Sequence, residues 1–488
     1  MVRGNAALVP VLFFALIFAP LRLAFSQAAP SSTGETPRAS AGTTSAQPAP
    51  DYRVTMPVPS GLQPAVDFWL LIFTKYGKNQ QVFHHREYPG IVYSVVDFSE
   101  LMQRFGGREF ERQRDQAVLE ETVRIQATLR SMATGRKPQS PFERRLERLF
   151  TSVKAGSITR LYSEAALTEN IRTQTGIREK FADGVARSRR YSHAMERIFR
   201  EAGLPPELSR LPHVESSFDY TAYSSVGAAG IWQFMRGTGK RYMKIDSIVD
   251  ERRDPIISTR AAAHYLRHSY NIAQSWPLAV TSYNHGLAGI MRAAKEVGSK
   301  DLPTIIRRYN GSSFGFASKN FYAEFLAAVE ADRNWRVYFP SLRLERPIYF
   351  DEVKLGSSIG FAQLARTAGL STDELEMLNP GLLRPILQGR FPIPAGKIVK
   401  VPSGKGQVLA RTLRGATLYS LTELPTPSRD TAPPKRKSSV KSSKNVSKKS
   451  TSSTSAKKSS SKKASTKSGA KPKPQKSSSG STKRFPVR

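Results

Sequence analysis

The chain has 488 residues, 39% of them hydrophobic, which is enough for two or three packed domains with substantial cores. It contains no Cys, which excludes disulfides, thiol catalysis and thiolate metal sites. Half of the net charge of +36 lies in residues 431–488, which hold 18 Lys or Arg and no acid. The seven His are scattered apart from His84-His85, with no carboxylate–histidine cluster, so nothing calls for a metal or another cofactor.

At the N-terminus Arg3 precedes an apolar run over residues 6–19, interrupted by Pro10 and ended by Pro20 and Arg22. Ala24-Phe25-Ser26 supplies small residues for a cleavage site, so residues 1–26 read as a secretory signal peptide and the chain as exported to the periplasm or cell envelope. The run is shorter than the ~20 residues that span a bilayer, although an uncleaved anchor is the alternative. Residues 27–53 are rich in Ser, Thr, Ala and Pro and form a linker. Helical patterns follow over residues 66–76, 109–134, 141–152, 158–170 and 177–202, with a further helix after Asp97. This helical region, residues 54–202, reads as scaffold, and its aromatic stretches at Phe68-Trp69 and residues 88–93 read as core.

Residues 203–233 carry the strongest local signal. Pro205, Pro206 and Glu207 suit a first helical turn. At helical spacing Leu204, Leu208, Leu211, Glu215 and Phe218 fall in line, which puts a carboxylate in an apolar stripe. Burial disfavours the ionised form and raises a glutamate from about 4.3 towards ~6 at known catalytic sites. A carboxyl that is still protonated near neutral pH is what a glycosidic oxygen needs from a general acid. A small-residue stretch with Gly227 and Gly230 follows, then Ile231-Trp232-Gln233-Phe234 and, further on, Ser282-Tyr283-Asn284-His285-Gly286. Asp254-Pro255 reads as a cap and first turn, and helices are expected over residues 260–271, 278–284, 287–296 and 318–332.

Glu215-Ser216, Gly230-x-x-Gln233 and Tyr283-Asn284, in this order and at about this spacing, resemble the catalytic domain of the lytic transglycosylases. The nearest resemblance is to the D-type membrane-bound lytic murein transglycosylases, whose fold is similar to goose-type lysozyme. It continues through Asp250-Glu251-Arg252-Arg253-Asp254-Pro255 and sets a catalytic domain over residues 203–338. The resemblance implies a mainly α, lysozyme-like fold and peptidoglycan glycan strands as substrate. Glu215 would be the catalytic residue, with Ser216, Gly230, Gln233, Tyr283, Asn284 and Tyr322 binding substrate. Asn284 would hydrogen-bond the muramoyl N-acetyl group, and Tyr322 matches a Tyr of the last helix that points into the family's cleft. Ser282 stands where the family has Ala, a small change. Members that attach to membranes often use a lipidated Cys, and this chain has none.

Most glycosidases use two carboxylates. The motifs supply one, and Asp219, the next acid, has no role in the family. A single carboxylate implies substrate assistance: the N-acetyl group attacks the anomeric carbon, and internal attack by the 6-hydroxyl then gives a 1,6-anhydro product. A hydrolytic muramidase on the same fold and a non-catalytic wall-binding scaffold are the competing readings.

Beyond Trp335 the pattern is strand over residues 348–355, helix over 361–368, helix over 372–378 and strand over 398–401. This β-α-α-β order resembles a degenerate LysM glycan-binding module over residues 345–404, with a long insertion at 381–396. Residues 425–488 are Lys, Ser, Ala, Thr and Pro and cannot bury enough apolar surface to fold. Anionic cell-envelope polymers or lipid head groups are the partners such a tail suits. The export signal and the lack of interleaved aromatics argue against nucleic acid.

Overall fold

The computed structural model describes residues 56–153 and 156–419. The expected leader, linker and Lys/Ser-rich tail lie outside them. The described chain is mainly α, with two small sheets.

The helix Gln63–Thr74 has Pro in its first turn and buries Val66, Phe68, Trp69, Ile72 and Phe73. It packs along the helix Phe316–Arg333, where the Trp69 indole donates to Asn320 Oδ1 at 3.1 Å. Helix Pro141–Ser152 starts where its sequence says it should, because Ser140 accepts the Glu143 N–H and Pro141 needs no partner. The helix Gly107–Ala133 buries only Ile125, Gln126, Leu129 and Met132, while Leu119 and Val123 stay exposed. The expected apolar face is therefore fully buried only in its C-terminal half.

The region also holds an antiparallel sheet that its helical periodicity does not announce. Strand Gln80–His85 lies between Val92–Asp97 and Ile171–Thr175, with Val82 opposite Val95 and Gln174. The third strand comes from far along the chain, and its Ile-Arg-Thr-Gln-Thr sequence carries too few apolar residues to show alternation. A continuous apolar core joins these elements to residues 203–339.

In that second segment the expected continuous helix is broken. Residues Pro206–Arg210 form a 3₁₀ turn, and a four-residue helix, Pro212–Glu215, follows. Pro212 has no N–H to donate into a preceding turn, so the chain restarts there. The apolar stripe survives, since Leu204, Leu208, Leu211 and Phe218 are all buried. Asp254 caps helix Pro255–Ala273 by accepting from Ile256 and Ile257 N–H at 3.0 and 3.1 Å. Helix Trp276–His285 ends at Gly286, whose φ of +82° suits glycine, and Leu287–Val297 follows.

The C-terminal part has its own core around Val353, Leu364, Leu375 and Val399. Strand Phe350–Lys354 is central, between Ile398–Pro402 and Thr417–Tyr419. Helices Phe361–Ala368 and Thr372–Leu378 lie between the first two strands in sequence, the second opened by a Ser371/Glu374 capping box. The insertion reaches the preceding segment: Asp250 N–H donates to the Gly381 carbonyl and Leu383 N–H to that of Ile248. Three ion pairs tie the same surfaces, Lys397–Glu251 at 2.7 Å and, fully buried, Lys400–Asp254 and Arg260–Glu352.

Candidate active site

Glu215 is the last residue of helix Pro212–Glu215 and is partly buried. The chain leaves it through two non-glycine residues in the left-handed region, Ser217 at φ +52° and Phe218 at φ +55°. Such residues cost about 1–3 kcal/mol each and persist only where the surroundings impose them. Here the Phe218 N–H reaches back to the Pro212 carbonyl at 3.2 Å. Arg187 donates to the Ser217 carbonyl at 2.8 Å and to that of Phe218 at 3.3 Å. Gly184 admits the turn, because a Cβ there would lie 2.7 Å from the Ser217 oxygen. The carboxylate therefore projects from a short helix clamped at its C-terminal end.

The remaining motif residues form a lattice beside it. Ser216 is buried and donates to the Ile231 carbonyl at 2.9 Å, not to Glu215. Tyr283 donates to the Trp232 carbonyl at 2.9 Å. Trp232 is fully buried and its indole N–H is held by Thr259. Gly230, at φ +74°, passes so close to residue 252 that a Cβ would sit 1.9 Å from the Arg252 oxygen. Gln233 donates to the Gly230 carbonyl at 2.8 Å, which leaves its side-chain oxygen for a ligand. Asn284 is exposed and its Oδ1 accepts from Ser318 at 2.7 Å. Among the described residues its amide nitrogen has no partner, so it is a free donor.

Tyr322 is placed differently. It is fully buried, and its hydroxyl donates to the Pro57 carbonyl at 2.7 Å. It ties helix Phe316–Arg333 to the start of the described chain.

The electrostatics mark two carboxyls, Glu215 and Glu324. Burial, and then the charge of Glu324, push the Glu215 carboxyl up to about 8. Burial likewise pushes Glu324 up to about 8. Burial and the Glu215 charge raise the Tyr283 phenol well above its usual range. Asp219 belongs to a local turn, accepting from Thr221, and stays below the usual carboxylate range although burial opposes this.

Behind Glu215 the same short helix is anchored by a charged cluster. His213 lies 3.2 Å from Asp332 Oδ1, and Asp332 also takes Arg210 and Arg189, each at 2.9 Å. Burial works against ionising Asp332, but His213 and the two guanidinium groups hold it well below the usual range. A cavity of about 350 Å³ opens beside this cluster, lined by Arg189, Glu196, Arg210, Asp332 and Trp335 among others. Glu215 does not line it, and its charged groups pair with one another.

Ser318 and Glu324 were not expected from the motifs. Both lie on helix Phe316–Arg333, and no local pattern marks them, since each acts on a residue far away in sequence.

Residues 195–306 match the family model described as the transglycosylase SLT domain. The chain carries a transglycosylase SLT domain. The SLT domain is lysozyme-like, in keeping with the mainly α fold. Its match includes Glu215, Ser216, Gly230, Gln233, Tyr283 and Asn284 and ends before Ser318, Tyr322 and Glu324.

Among curated proteins the chain is 28% identical over 251 residues to membrane-bound lytic murein transglycosylase D of Escherichia coli K12, covering 49% of this chain and 52% of that protein. The protein of the same name from E. coli O6:H1 gives the same values. A putative tributyltin chloride resistance protein of Alteromonas sp. strain M-1 is 31% identical over 124 residues, 25% of this chain and 60% of that one. The chain spans about half the length of the E. coli relatives it matches. It is thus a relative of the D-type lytic transglycosylases. No helix among the described residues is long and apolar enough to cross a membrane.

Proposed function

We propose that the chain is a lytic transglycosylase that cleaves the bond between N-acetylmuramic acid and N-acetylglucosamine in peptidoglycan. The observation that carries the reading is the partly exposed Glu215 at the end of its clamped short helix, with a carboxyl that burial and then the charge of Glu324 push up to about 8.

Glu215 gives its proton to the glycosidic oxygen as the C1–O bond breaks. The carbonyl oxygen of the muramoyl N-acetyl group bonds to C1, and the free amide of Asn284 donates to that group. The Glu215 carboxylate then takes the 6-hydroxyl proton. The 6-oxygen closes on C1, the internal bond to the acetyl oxygen breaks, and a 1,6-anhydro end results without water. One residue serves as acid and then base, which requires a pKa near working pH. Gln233, through its oxygen, Tyr283 and the close-packed Gly230 turn would line the substrate, and Ser216 would hold the Gly230–Gln233 loop against the Glu215 helix.

Glu324 favours one competing reading, a hydrolytic muramidase, since a second carboxylate is what an ordinary glycosidase needs. Residues 345–404 would serve as a LysM-like module, a role supported by their strand-helix-helix-strand order, which a four-residue helix, Arg384–Leu387, interrupts within the insertion. A leader at residues 1–26 and an envelope-binding tail at residues 425–488 would put the enzyme in the cell envelope.

Solubilisation of purified peptidoglycan sacculi by the chain and by Glu215→Gln tests the activity. The reading expects release by the wild type and a loss on the order of 10²-fold or more in the variant. Equal release by both would remove Glu215 from the chemistry, and binding without release by either would indicate a scaffold.

A further inference from the structure

Residues 250–254 lie between the motif residues and the C-terminal sheet, and both sides hold them. On the motif side Arg252 is fully buried, and its Nη1 donates to the carbonyls of Gly227 at 2.7 Å and Phe234 at 3.0 Å. Those carbonyls bracket the loop that carries Gly230 and Gln233. The Arg252 carbonyl meets the same loop at Gly230, where a Cβ has no room. One residue therefore sets both ends of the loop and its middle. Asp250 fixes the guanidinium in turn, accepting from Nε at 2.9 Å and from Nη2 at 2.7 Å, a two-pronged geometry that leaves little freedom.

On the other side the C-terminal part grips the same segment. Lys397 pairs with Glu251 at 2.7 Å and Lys400 with Asp254, all through largely buried side chains. The Asp250 N–H donates to the Gly381 carbonyl at 2.8 Å. Val249, just before the segment, is part of the C-terminal core and bridges to Leu382. Even the chain that leads into this part is bonded down, since the N–H groups of Glu345 and Ile348 donate to the carbonyls of Ala186 and Arg190. A glycan-binding module on a free tether needs none of these contacts. Burying ammonium–carboxylate pairs costs desolvation that an apolar contact avoids, and what such pairs supply in exchange is a single register between the two surfaces.

We propose that the C-terminal part is a clamp on the active site, in which Lys397 and Lys400 are positioning residues that hold the loop of Gly230 and Gln233 through residues 250–254. The proposal rests on the reading of that loop as substrate-lining.

The two lysines act through Arg252. Glu251 precedes it and Asp254 lies two places beyond, so anchoring these acids fixes the backbone from which Arg252 reaches the loop. A loop that lines the substrate before and during the reaction contributes to binding in both states, so displacing it raises KM and spares kcat.

Two measurements on the full chain test this. With soluble glycan strands prepared from sacculi, Lys397→Met, which keeps most of the stem and removes the cation, should raise KM about tenfold with kcat little changed. Lys397→Arg, which keeps the cation, should restore most of the lost affinity. In native-state hydrogen exchange of the wild type under rising denaturant, the Gly230 amide, bonded to the Ala222 carbonyl at 2.9 Å, should open in one step with the Lys400 amide, bonded to Asn379 Oδ1 at 2.8 Å.

A Lys397→Met variant whose kcat falls with its folded fraction while KM stays put would show a merely structural role and overturn the proposal, as would failure of Lys397→Arg to restore KM. If Lys397→Met does not fold, the exchange decides: a Gly230 amide that stays protected while the Lys400 amide exchanges would reject the clamp. These outcomes leave the lytic reading standing. Wild-type chain that releases nothing, with Glu215→Gln identical to it, would instead defeat the catalytic reading, and the proposal with it.

Discussion

Ser318 donates to Asn284 Oδ1 at 2.7 Å, so the amide nitrogen of Asn284 is the group left for a ligand. The bond links two helices whose side chains meet only in the folded molecule. An amide donor is the right partner for an acetamido carbonyl, and a carboxylate there would repel it. Asn284→Asp should therefore lower kcat on sacculi by about 10²-fold, the usual effect of removing one aligned donor. Ser318→Ala frees the amide to rotate and should lower it about tenfold with little change in melting temperature. Steady-state digestion rates beside thermal melts check both.

Ser217 is strained and Gly184 makes room for it. Ser217→Gly should raise stability by about 1 kcal/mol, because glycine occupies the left-handed region without penalty. Gly184→Ala pushes a methyl group to within 2.7 Å of the Ser217 oxygen and should destabilise the fold and shift Glu215. Urea melts of the two variants should move in opposite directions.

Lys400 and Asp254 form a buried pair between the C-terminal sheet and the cap of helix Pro255–Ala273. Lys400→Ala leaves a buried carboxylate without its cation and should cost about 3–5 kcal/mol. Burial opposes ionising Asp254, but Lys400 and Lys397 hold its folded-state pKa below the usual value. Its stabilising contribution is therefore present above an unfolded-state pKa of about 3.9 and is lost as pH falls through the lower folded value. In the variant this acid-labile contribution should shrink, which melts taken as pH falls below about 3.9 would record.

Glu215 has the opposite sign. Its folded pKa of about 8 lies above the unfolded one, so its contribution is favourable below an unfolded pKa of about 4.3 and is lost as pH rises towards 8. Glu215→Gln should melt higher than wild type at pH 8, by a few degrees, with the difference vanishing at pH 4. A site that keeps a carboxyl neutral for catalysis gives up stability in this way.

The helices with strong start and stop signals were legible in the sequence. Ser140-Pro141, Asp254-Pro255 and Gly286 mark ends that depend on the local backbone alone. Glu215, Tyr283 and Asn284 were picked out by motif order, and their neighbourhood by the small residues around Gly230. Pro212 was also visible, yet the apolar spacing across it outweighed its missing N–H and suggested one helix where there are two short ones. The sheet of residues 80–97 and 171–175 was not legible, because its third strand pairs across roughly ninety residues and carries mostly polar side chains. Tyr322 sits at the motif position but turns to Pro57, a partner that only the packed N-terminal segment provides. Glu324 carries no local signal, because helix Phe316–Arg333 meets the Glu215 helix only through tertiary packing.

The most direct measurement is the mass of the muropeptides that the chain releases from purified peptidoglycan. Internal attack by the 6-hydroxyl predicts anhydromuropeptides, with release nearly abolished by Glu215→Gln. Products heavier by one water, formed by the wild type and lost in the variant, would mean that water is the nucleophile and would contradict the lytic mechanism.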